Sequence, residues 1–167
     1  MRYKVIEGDL LQALENKDID ILAHQCNVKL GMGGGIAYQI AKKYPNLEEI
    51  DSLLRNSKGT DLLGTSYLYH FDGGIIANVY AQCEGGRCSN STLDNFKARL
   101  NFLKSGLKQI VEEYPKARIG IPFLASGLAA DRERKEGLTD RDYFEVFIYP
   151  SLLGIFKTEP LVYDFKR

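Results

Sequence analysis

Short apolar runs alternate with longer stretches of helical periodicity along the chain. The short runs are typical of strands, which we predict at 3–6, 19–23, 66–71, 74–81, 118–124 and 161–165. The longer stretches repeat apolar residues every three or four positions and predict helices at 36–44, 47–54 and 96–114, with an interrupted helix within 140–156. This alternation indicates an α/β domain, in which helices connect the strands of a parallel sheet.

Turn and cap residues refine the predicted sheet. Only Asp72-Gly73 separates the third and fourth strands, and that dipeptide is typical of a tight hairpin turn. We therefore expect a mixed sheet, with one antiparallel pair and helices on both faces. The longest helix is predicted to begin after Ser91 and Thr92, whose hydroxyls can cap it, and to end at Pro115.

Length, composition and charge narrow the function classes. The chain has 167 residues, 44% hydrophobic and 26% charged, which suits one domain over 1–167. Its 22 basic and 22 acidic residues cancel, so no basic field favours nucleic-acid binding. No apolar run approaches the roughly 20 residues of a membrane helix, and Glu7 and Asp9 precede any run of signal-peptide length. We expect a cytoplasmic protein with neither a membrane nor a nucleic acid as partner.

The cysteines do not indicate a disulfide framework or a metal site. Cys26, Cys83 and Cys88 are odd in number and form no Cys-x-x-Cys pair. A metal held by these thiols and His24 is the alternative, but the spacings match no familiar ligand pattern. Reduced, mostly buried thiols are the favoured interpretation, and no metal or other cofactor is expected.

A glycine-rich segment, 24–35, follows the second predicted strand and leads directly into a helix at Ile36. Its glycines allow backbone N–H groups to approach an anion, and the helix N-terminus adds partial positive charge, so the segment predicts phosphate binding. Its spacing matches neither a nucleotide-triphosphatase loop nor a dinucleotide fingerprint. A simple turn that needs positive φ angles is the structural alternative.

Three segments resemble, in order and approximate spacing, the signature segments of the macrodomain family: 8–10 (GDL), 27–36 (NVKLGMGGGI) and 121–129 (IPFLASGLA). The stretches 22–27 (LAHQCN), 33–41 (GGGIAYQIA) and Tyr44-Pro45 are most similar to the branch that contains ADP-ribose 1''-phosphate phosphatases. The resemblance implies a three-layer α/β/α macrodomain with a mixed sheet of about six strands. It also implies binding of ADP-ribose and hydrolysis of ADP-ribose 1''-phosphate to ADP-ribose and phosphate.

The resemblance carries over to individual ligand contacts. Asp9 would accept a hydrogen bond from the adenine amino group, with a helix N-cap as the alternative or additional role. Asn27 would hydrogen-bond the distal ribose, with an Asx turn as the alternative. The other contacts are backbone and loop positions, namely Gly8, Leu10, Met32, Gly33, Gly34, Gly35, Ile36, Ser126, Gly127, Leu128 and Ala129.

Two residues are candidates for catalysis. His24 occupies a position where many macrodomains carry asparagine, and in the phosphatase-like branch a histidine here is implicated in turnover; imidazole can act near neutral pH as nucleophile, base or acid. Asp131 is the candidate carboxylate that orients a water or the imidazole. The alternatives are a structural histidine and a solvated charged helix face around Asp131. The family usually places an aromatic residue soon after the second loop, whereas this chain reads AADRERKE over 129–136.

Related activities give the alternative hypotheses. The lysine-dependent removal of ADP-ribose from protein or DNA is not favoured, because 78–82 contains no lysine and Gly34 stands where the other branch carries one. A reader of ADP-ribose or ADP-ribosylated protein without catalysis, and a lysine-independent hydrolase acting on a macromolecule, stay open. Gln82 and the loop 84–90, with Arg87 as an anion contact, would close over the distal ribose unless that loop is an ordinary surface loop.

Overall fold

A computed structural model describes residues 3–165 and contains one mixed sheet. The spatial order of its strands is β1-β6-β5-β2-β4-β3, and all neighbours pair in parallel except β3 and β4. The strands are β1 Lys4–Glu7, β2 Ile21–Asn27, β3 Ser66–Phe71, β4 Gly74–Gln82, β5 Ile119–Ile121 and β6 Leu161–Asp164. The predicted α/β class, the six strands and the Asp72-Gly73 hairpin are confirmed.

Helices cover both faces of this sheet. Residues of the first three helices form a buried apolar cluster on one face, and residues of 96–113, 143–148 and 149–152 form another on the opposite face. Within residues 3–165, no helix is long and apolar enough to cross a membrane. The α-helices are α1 Leu10–Glu15, α2 Gly35–Lys43, α3 Pro45–Lys58, α4 Phe96–Glu113, α5 Arg132–Lys135, α6 Asp140–Tyr143 and α7 Tyr149–Leu152, with a 3-10 turn at Gly59–Leu62 and a π-helical segment at Phe144–Ile148.

Several predicted boundaries are wrong, each for a local reason. Strand β2 continues through the polar residues up to Asn27, because they pair with β4. Strand β5 ends at Ile121, since Pro122 has no N–H to offer the next ladder position. Helix α4 is capped by Asn95, whose Oδ1 accepts from the Ala98 N–H at 2.8 Å, rather than by Ser91 or Thr92.

The sheet order brings four loops to one edge. Strand β2 lies between β5 and β4, so the loops after these three parallel strands are neighbours at their carboxyl ends. The loop after β1 lies at the same edge, beyond β6. Open α/β sheets bind ligands at this edge, so the sheet order places all predicted ligand loops around a common region.

Candidate functional site

The glycine-rich loop presents open backbone to solvent at the start of α2. Gly33, Gly34 and Gly35 are exposed, and a Cβ on any of them would meet no atom within 4 Å. Gly34 is the N-cap of α2 and supplies no side-chain hydrogen bond to it. The first N–H groups of a helix have no intrahelical acceptor, and the helix dipole adds partial positive charge there. The loop is therefore able to hold an anion through its backbone.

Asn27 organises this loop from the end of β2. Its Oδ1 accepts from the Leu30 N–H at 2.7 Å and the Gly31 N–H at 3.0 Å. Its Nδ2 donates to the Gly31 carbonyl at 3.1 Å. In this structure the Asn27 side chain therefore holds the loop backbone, as its Asx-turn alternative implies, and its contact with the distal ribose stays a prediction.

The loop after β5 forms a second exposed turn next to the first. Ser126 is buried, and its hydroxyl donates to the Leu124 carbonyl at 3.1 Å. Ala125 adopts a positive φ of 60°, which is uncommon for a residue with a side chain. Gly127 and Leu128 are exposed at the tip, and the Ala130 N–H closes the turn on the Gly127 carbonyl at 3.2 Å. Two turns with solvent-facing backbone therefore flank the same edge of the sheet.

Asp9 lies at the β1 end of this edge. It is exposed, and its Oδ1 accepts from the Leu11 N–H at 2.9 Å as the N-cap of α1. The N-cap interpretation is confirmed, and the contact with adenine stays a prediction. The Gly8 N–H donates to the Asp164 carbonyl at 3.1 Å, which joins this loop to the end of β6.

An aromatic residue outside the predicted contact set lies at the same end of the sheet. Phe165 directly follows β6, which pairs with β1, and the residue is 50% exposed. An exposed ring beside a carboxylate is suited to stacking on a purine while the carboxylate reads its amino group. The available signal was an aromatic residue at the carboxyl end of the last predicted strand, 161–165, which in the structure ends at Asp164.

The apolar residues of the predicted contact set lie beneath the loops. Leu10 and Met32 are buried in the cluster formed by α1, α2 and the sheet, and the half-buried Ile36 packs against that cluster. Their side chains fix the positions of the loop backbone.

His24 lies inside β2, and its side chain is fully buried. Its Nε2 lies 2.6 Å from Asn78 Oδ1 on β4, and Cys26 Sγ lies 3.6 Å from the ring. Burial lowers the pKa of His24 from 6.5 to about 4, so the imidazole is neutral at pH 7. The structure thus places His24 one layer below the exposed loops, and its catalytic role stays a prediction.

A buried polar chain continues from His24 toward α3. Tyr80 lies two residues beyond Asn78 on β4, and its hydroxyl donates to Asp51 Oδ1 at 2.5 Å. Asp51 Oδ2 in turn accepts from Arg55 Nε at 2.9 Å. Burial and the neighbouring carboxylate raise the pKa of Tyr80, so the phenol stays protonated.

Two members of this polar series, Arg55 and Asn78, contact the glycine-rich loop. Arg55 Nη1 donates to the Lys29 carbonyl at 3.3 Å, and a Cβ on Gly31 would lie 2.6 Å from Arg55 Nη2. Asn78 Nδ2 lies 3.7 Å from Met32 Sδ. This support was not predicted, although the carboxylate of Asp51 inside the apolar pattern of the predicted helix 47–54 was a signal for it.

Asp131 caps a short helix. Its Oδ1 accepts from the Glu133 N–H at 3.2 Å, and its Oδ2 lies 3.5 Å from Arg134 Nε. Its own N–H donates to the Tyr143 hydroxyl at 3.0 Å. The carboxylate is thus held by α5 in this structure, and its predicted catalytic role stays untested.

The loop 84–90 is tied down on both sides. Lys29 Nζ pairs with Glu84 Oε1 at 2.6 Å, and Gln82 Nε2 donates to the Glu84 carbonyl at 2.9 Å. Gln82 Oε1 accepts from Gln25 Nε2 at 2.7 Å. Arg87 is exposed. These contacts hold Glu84 beside the glycine-rich loop, and closure of the loop 84–90 over a ligand stays a prediction.

The thiols and acidic groups form no metal site within residues 3–165, where no three His, Cys, Asp or Glu side chains are placed to share an ion. The three cysteines are unpaired. Burial raises the pKa of the Cys26 thiol well above its usual range, which keeps it protonated.

Comparison with curated proteins identifies relatives with one name. The "ADP-ribose 1''-phosphate phosphatase" of Candida glabrata is 31% identical over 149 residues, covering 70% of this chain and 82% of that protein. The protein of the same name from Lodderomyces elongisporus is 40% identical over 85 residues, covering 50% of this chain and 52% of that protein. No family model matches the chain.

Solved structures give the fold independently. The macrodomain of Mycobacterium tuberculosis DarG superposes with a TM-score of 0.70 at 20% identity, over 96% of both chains. The Oceanobacillus iheyensis macrodomain with ADP superposes with a TM-score of 0.63 at 15% identity, over 98% of this chain and 82% of that one. The expected three-layer macrodomain fold is confirmed, and the chain belongs to the macrodomain family, in the branch of the ADP-ribose 1''-phosphate phosphatases.

Proposed function

We propose that this protein binds ADP-ribose and hydrolyses ADP-ribose 1''-phosphate to ADP-ribose and phosphate. The observation that carries the proposal is the pair of turns with exposed tips, Gly33–Gly35 and Gly127–Leu128, that flank the neighbouring carboxyl ends of β2 and β5. A relative named for this activity, 31% identical and covered over 82% of its length, supports the same conclusion.

The ligand would lie along the carboxyl edge of the sheet. Asp9 and Phe165 mark the adenine end at β1 and β6, and the two turns meet the phosphates at β5 and β2. The distal ribose and its phosphate then fall near Asn27 and the loop 84–90, between β2 and β4. Backbone N–H groups and the α2 N-terminus would stabilise the phosphoryl oxygens in the transition state, which is electrostatic catalysis without a metal or other cofactor.

His24 and Asp131 are the proposed catalytic side chains. A neutral imidazole has the lone pair that a nucleophile or general base needs, and the low pKa of His24, about 4, supplies this form at pH 7. Direct attack requires the ring to leave Asn78 and turn toward the loop. Asp131 would orient the attacking water or the imidazole after releasing its helix cap.

Steady-state phosphate release tests the activity and the role of His24. We expect turnover of ADP-ribose 1''-phosphate by the wild-type protein and at least a hundredfold lower kcat in His24→Ala, with ADP-ribose affinity unchanged within about threefold. His70→Ala is the matched control, because His70 is the other histidine and is exposed on β3. Full activity in His24→Ala would remove His24 from the mechanism while leaving the phosphatase proposal intact.

A reader of ADP-ribose is the second candidate function. It is favoured by the position of both proposed catalytic groups, since His24 is buried and the Asp131 carboxylate caps α5. A reader needs only the two turns, Asn27 and Asp9. Submicromolar binding of ADP-ribose without phosphate release would support this function; release of ADP-ribose from a modified protein would instead support a macromolecular hydrolase.

We also propose that the protein acts in the cytoplasm on the free nucleotide, with an ADP-ribosylated protein as the alternative partner. Three unpaired cysteines suit a reducing compartment. Cell fractionation with an antibody to the protein, alongside markers of the cytosol and organelles, tests the location.

A further inference from the structure

Arg99 lies in the first turn of α4, behind two of the loops that border the site. Its side chain is 3% exposed and pairs with Asp94, which is 1% exposed. Neither residue belongs to the predicted ligand contacts. A buried ion pair is weak evidence for stability by itself, since desolvation offsets the attraction, so the contacts that surround it decide its role.

Every N–H of the Arg99 guanidinium has a partner. Two donors reach the Asp94 carboxylate, from Nε to Oδ1 at 3.0 Å and from Nη2 to Oδ2 at 2.8 Å. Two reach the loop 84–90, from Nη1 to the Gly86 carbonyl at 2.6 Å and from Nη2 to the Arg87 carbonyl at 3.0 Å. The fifth runs from Nη1 to the Ala129 carbonyl at 3.2 Å, in the loop after β5.

The Asp94 carboxylate extends this connection to β4. Its Oδ1 also accepts from the Cys83 N–H at 2.7 Å, directly after the strand, and its Oδ2 accepts from the Ser89 hydroxyl at 3.4 Å. The ion pair therefore holds both ends of the loop 84–90 and one end of the neighbouring loop. No other side chain offers five donors in one rigid plane, so lysine cannot replace this arrangement.

We infer that Arg99 is a positioning residue that couples the loop 84–90 to the loop Ser126–Ala129 and so sets the distal half of the ligand site. This inference rests on the proposed function. Both loops follow strands adjacent to β2, whereas Asp9 lies at the β1 end of the sheet. Loss of Arg99 therefore disturbs contacts with the phosphates and distal ribose and leaves the adenine end in place.

The test compares Arg99→Lys with the wild-type protein in two assays. Calorimetric titration is expected to show at least a tenfold loss of affinity for ADP-ribose and less than a twofold change for AMP, which lacks the distal ribose. Hydrogen exchange of the free protein is expected to be faster in both loops at once, and unchanged in β2 and β4. A purely structural role would not separate the two ligands.

Two controls and a second variant isolate the effect. Arg118→Lys makes the same change in the Arg118–Asp20 pair at the amino ends of the strands and is expected to alter neither readout. Leu107→Ala removes a fully buried side chain of α4 and reports the effect of destabilisation alone. Should Arg99→Lys fold poorly, the double variant Arg99→Met and Asp94→Asn is used instead, because it also removes the Asp94 charge that would otherwise be buried without a partner. This double variant is expected to loosen both loops.

Three results would overturn the inference. Faster exchange in one loop only would refute the coupling. Unchanged ADP-ribose affinity with both loops loosened, or equal losses for ADP-ribose and AMP, would refute the role of Arg99 in setting the distal half of the site. If the wild-type protein neither binds ADP-ribose nor releases phosphate, the proposed function fails instead, and the exchange measurement on the free protein still decides whether Arg99 couples the loops.

Discussion

Filling the glycine-rich loop should abolish ligand binding without unfolding the protein. Gly34 has φ −143° and ψ 157°, a conformation that valine adopts readily, and a Cβ there meets no atom within 4 Å. Replacing glycine lowers the conformational entropy of the unfolded chain, which raises the free energy of unfolding by about 0.4–1 kcal/mol. Valine is a poor N-cap residue, which lowers the free energy of unfolding by a similar amount. We expect the free energy of unfolding of Gly34→Val to lie within about 1 kcal/mol of the wild-type value.

The affinity of Gly34→Val for ADP-ribose should fall strongly. The valine side chain occupies the open space through which an anion would reach the loop N–H groups. Hydrogen bonds to a charged group contribute about 1.5–3 kcal/mol each, so losing two of them costs about 3–6 kcal/mol, or roughly a hundredfold to ten-thousandfold in Kd. Urea unfolding and calorimetric titration with ADP-ribose measure the two quantities on the same protein.

A matched pair of alanine variants controls for backbone strain. Gly35 and Gly59 both adopt positive φ, 57° and 52°, and both face open space, but Gly59 ends α3 away from the loops. Each alanine variant should lose about 1–3 kcal/mol of stability, and only Gly35→Ala should also lose ADP-ribose affinity. Wild-type affinity in Gly34→Val, or equal losses of affinity in the two alanine variants, would refute the assignment of this loop as the anion site.

Three further predictions follow from the buried groups and the caps. The pKa of His24 is about 4 in the folded protein instead of 6.5, so between these pH values the unfolded chain binds a proton that the folded protein does not. The free energy of unfolding should therefore fall by about 3 kcal/mol as the pH falls from 6.5 to 4. In His24→Asn, the free energy of unfolding measured in urea should depend less on pH over this range. Asp9→Ser keeps a cap for the Leu11 N–H, so its thermal unfolding should match the wild type while ADP-ribose affinity drops at least tenfold; an unchanged affinity would leave Asp9 a cap only. Tyr80→Phe leaves Asp51 Oδ1 without its donor, while Oδ2 keeps Arg55, and should lower the free energy of unfolding in urea by about 1–3 kcal/mol. A neutral result would mean that water replaces the hydroxyl.

The regular elements were predictable because their signals are local. The Asp72-Gly73 turn, the Asp9 cap and the apolar spacing of α4 each depend on residues close in sequence. The prediction ended strand β2 four residues too early, at Ala23, because His24, Gln25 and Asn27 are polar, and only pairing with Asn78 to Gln82 on β4 makes them part of the sheet. Such pairing joins residues more than 50 positions apart and leaves no local pattern.

The candidate site likewise contains features that local sequence signals predict and features that depend on tertiary packing. The positions of Gly33 to Gly35 and of Ser126 to Ala129 at the carboxyl edge could be predicted, because strand order in a parallel sheet places loops there. The five contacts of Arg99 and the chain from His24 to Arg55 could not, since they depend on side chains that meet through tertiary packing. The sequence places His24 at the start of the glycine-rich segment, whereas the structure places it within β2 with its ring fully buried.

Phosphorus NMR of ADP-ribose 1''-phosphate mixed with the protein tests the central claim most directly. The phosphatase account predicts that the monoester resonance decays while free phosphate grows at the same rate, and that both changes stop in Gly34→Val. A monoester resonance that persists over hours, while the diphosphate resonances shift or broaden, would contradict hydrolysis and leave a protein that only binds ADP-ribose.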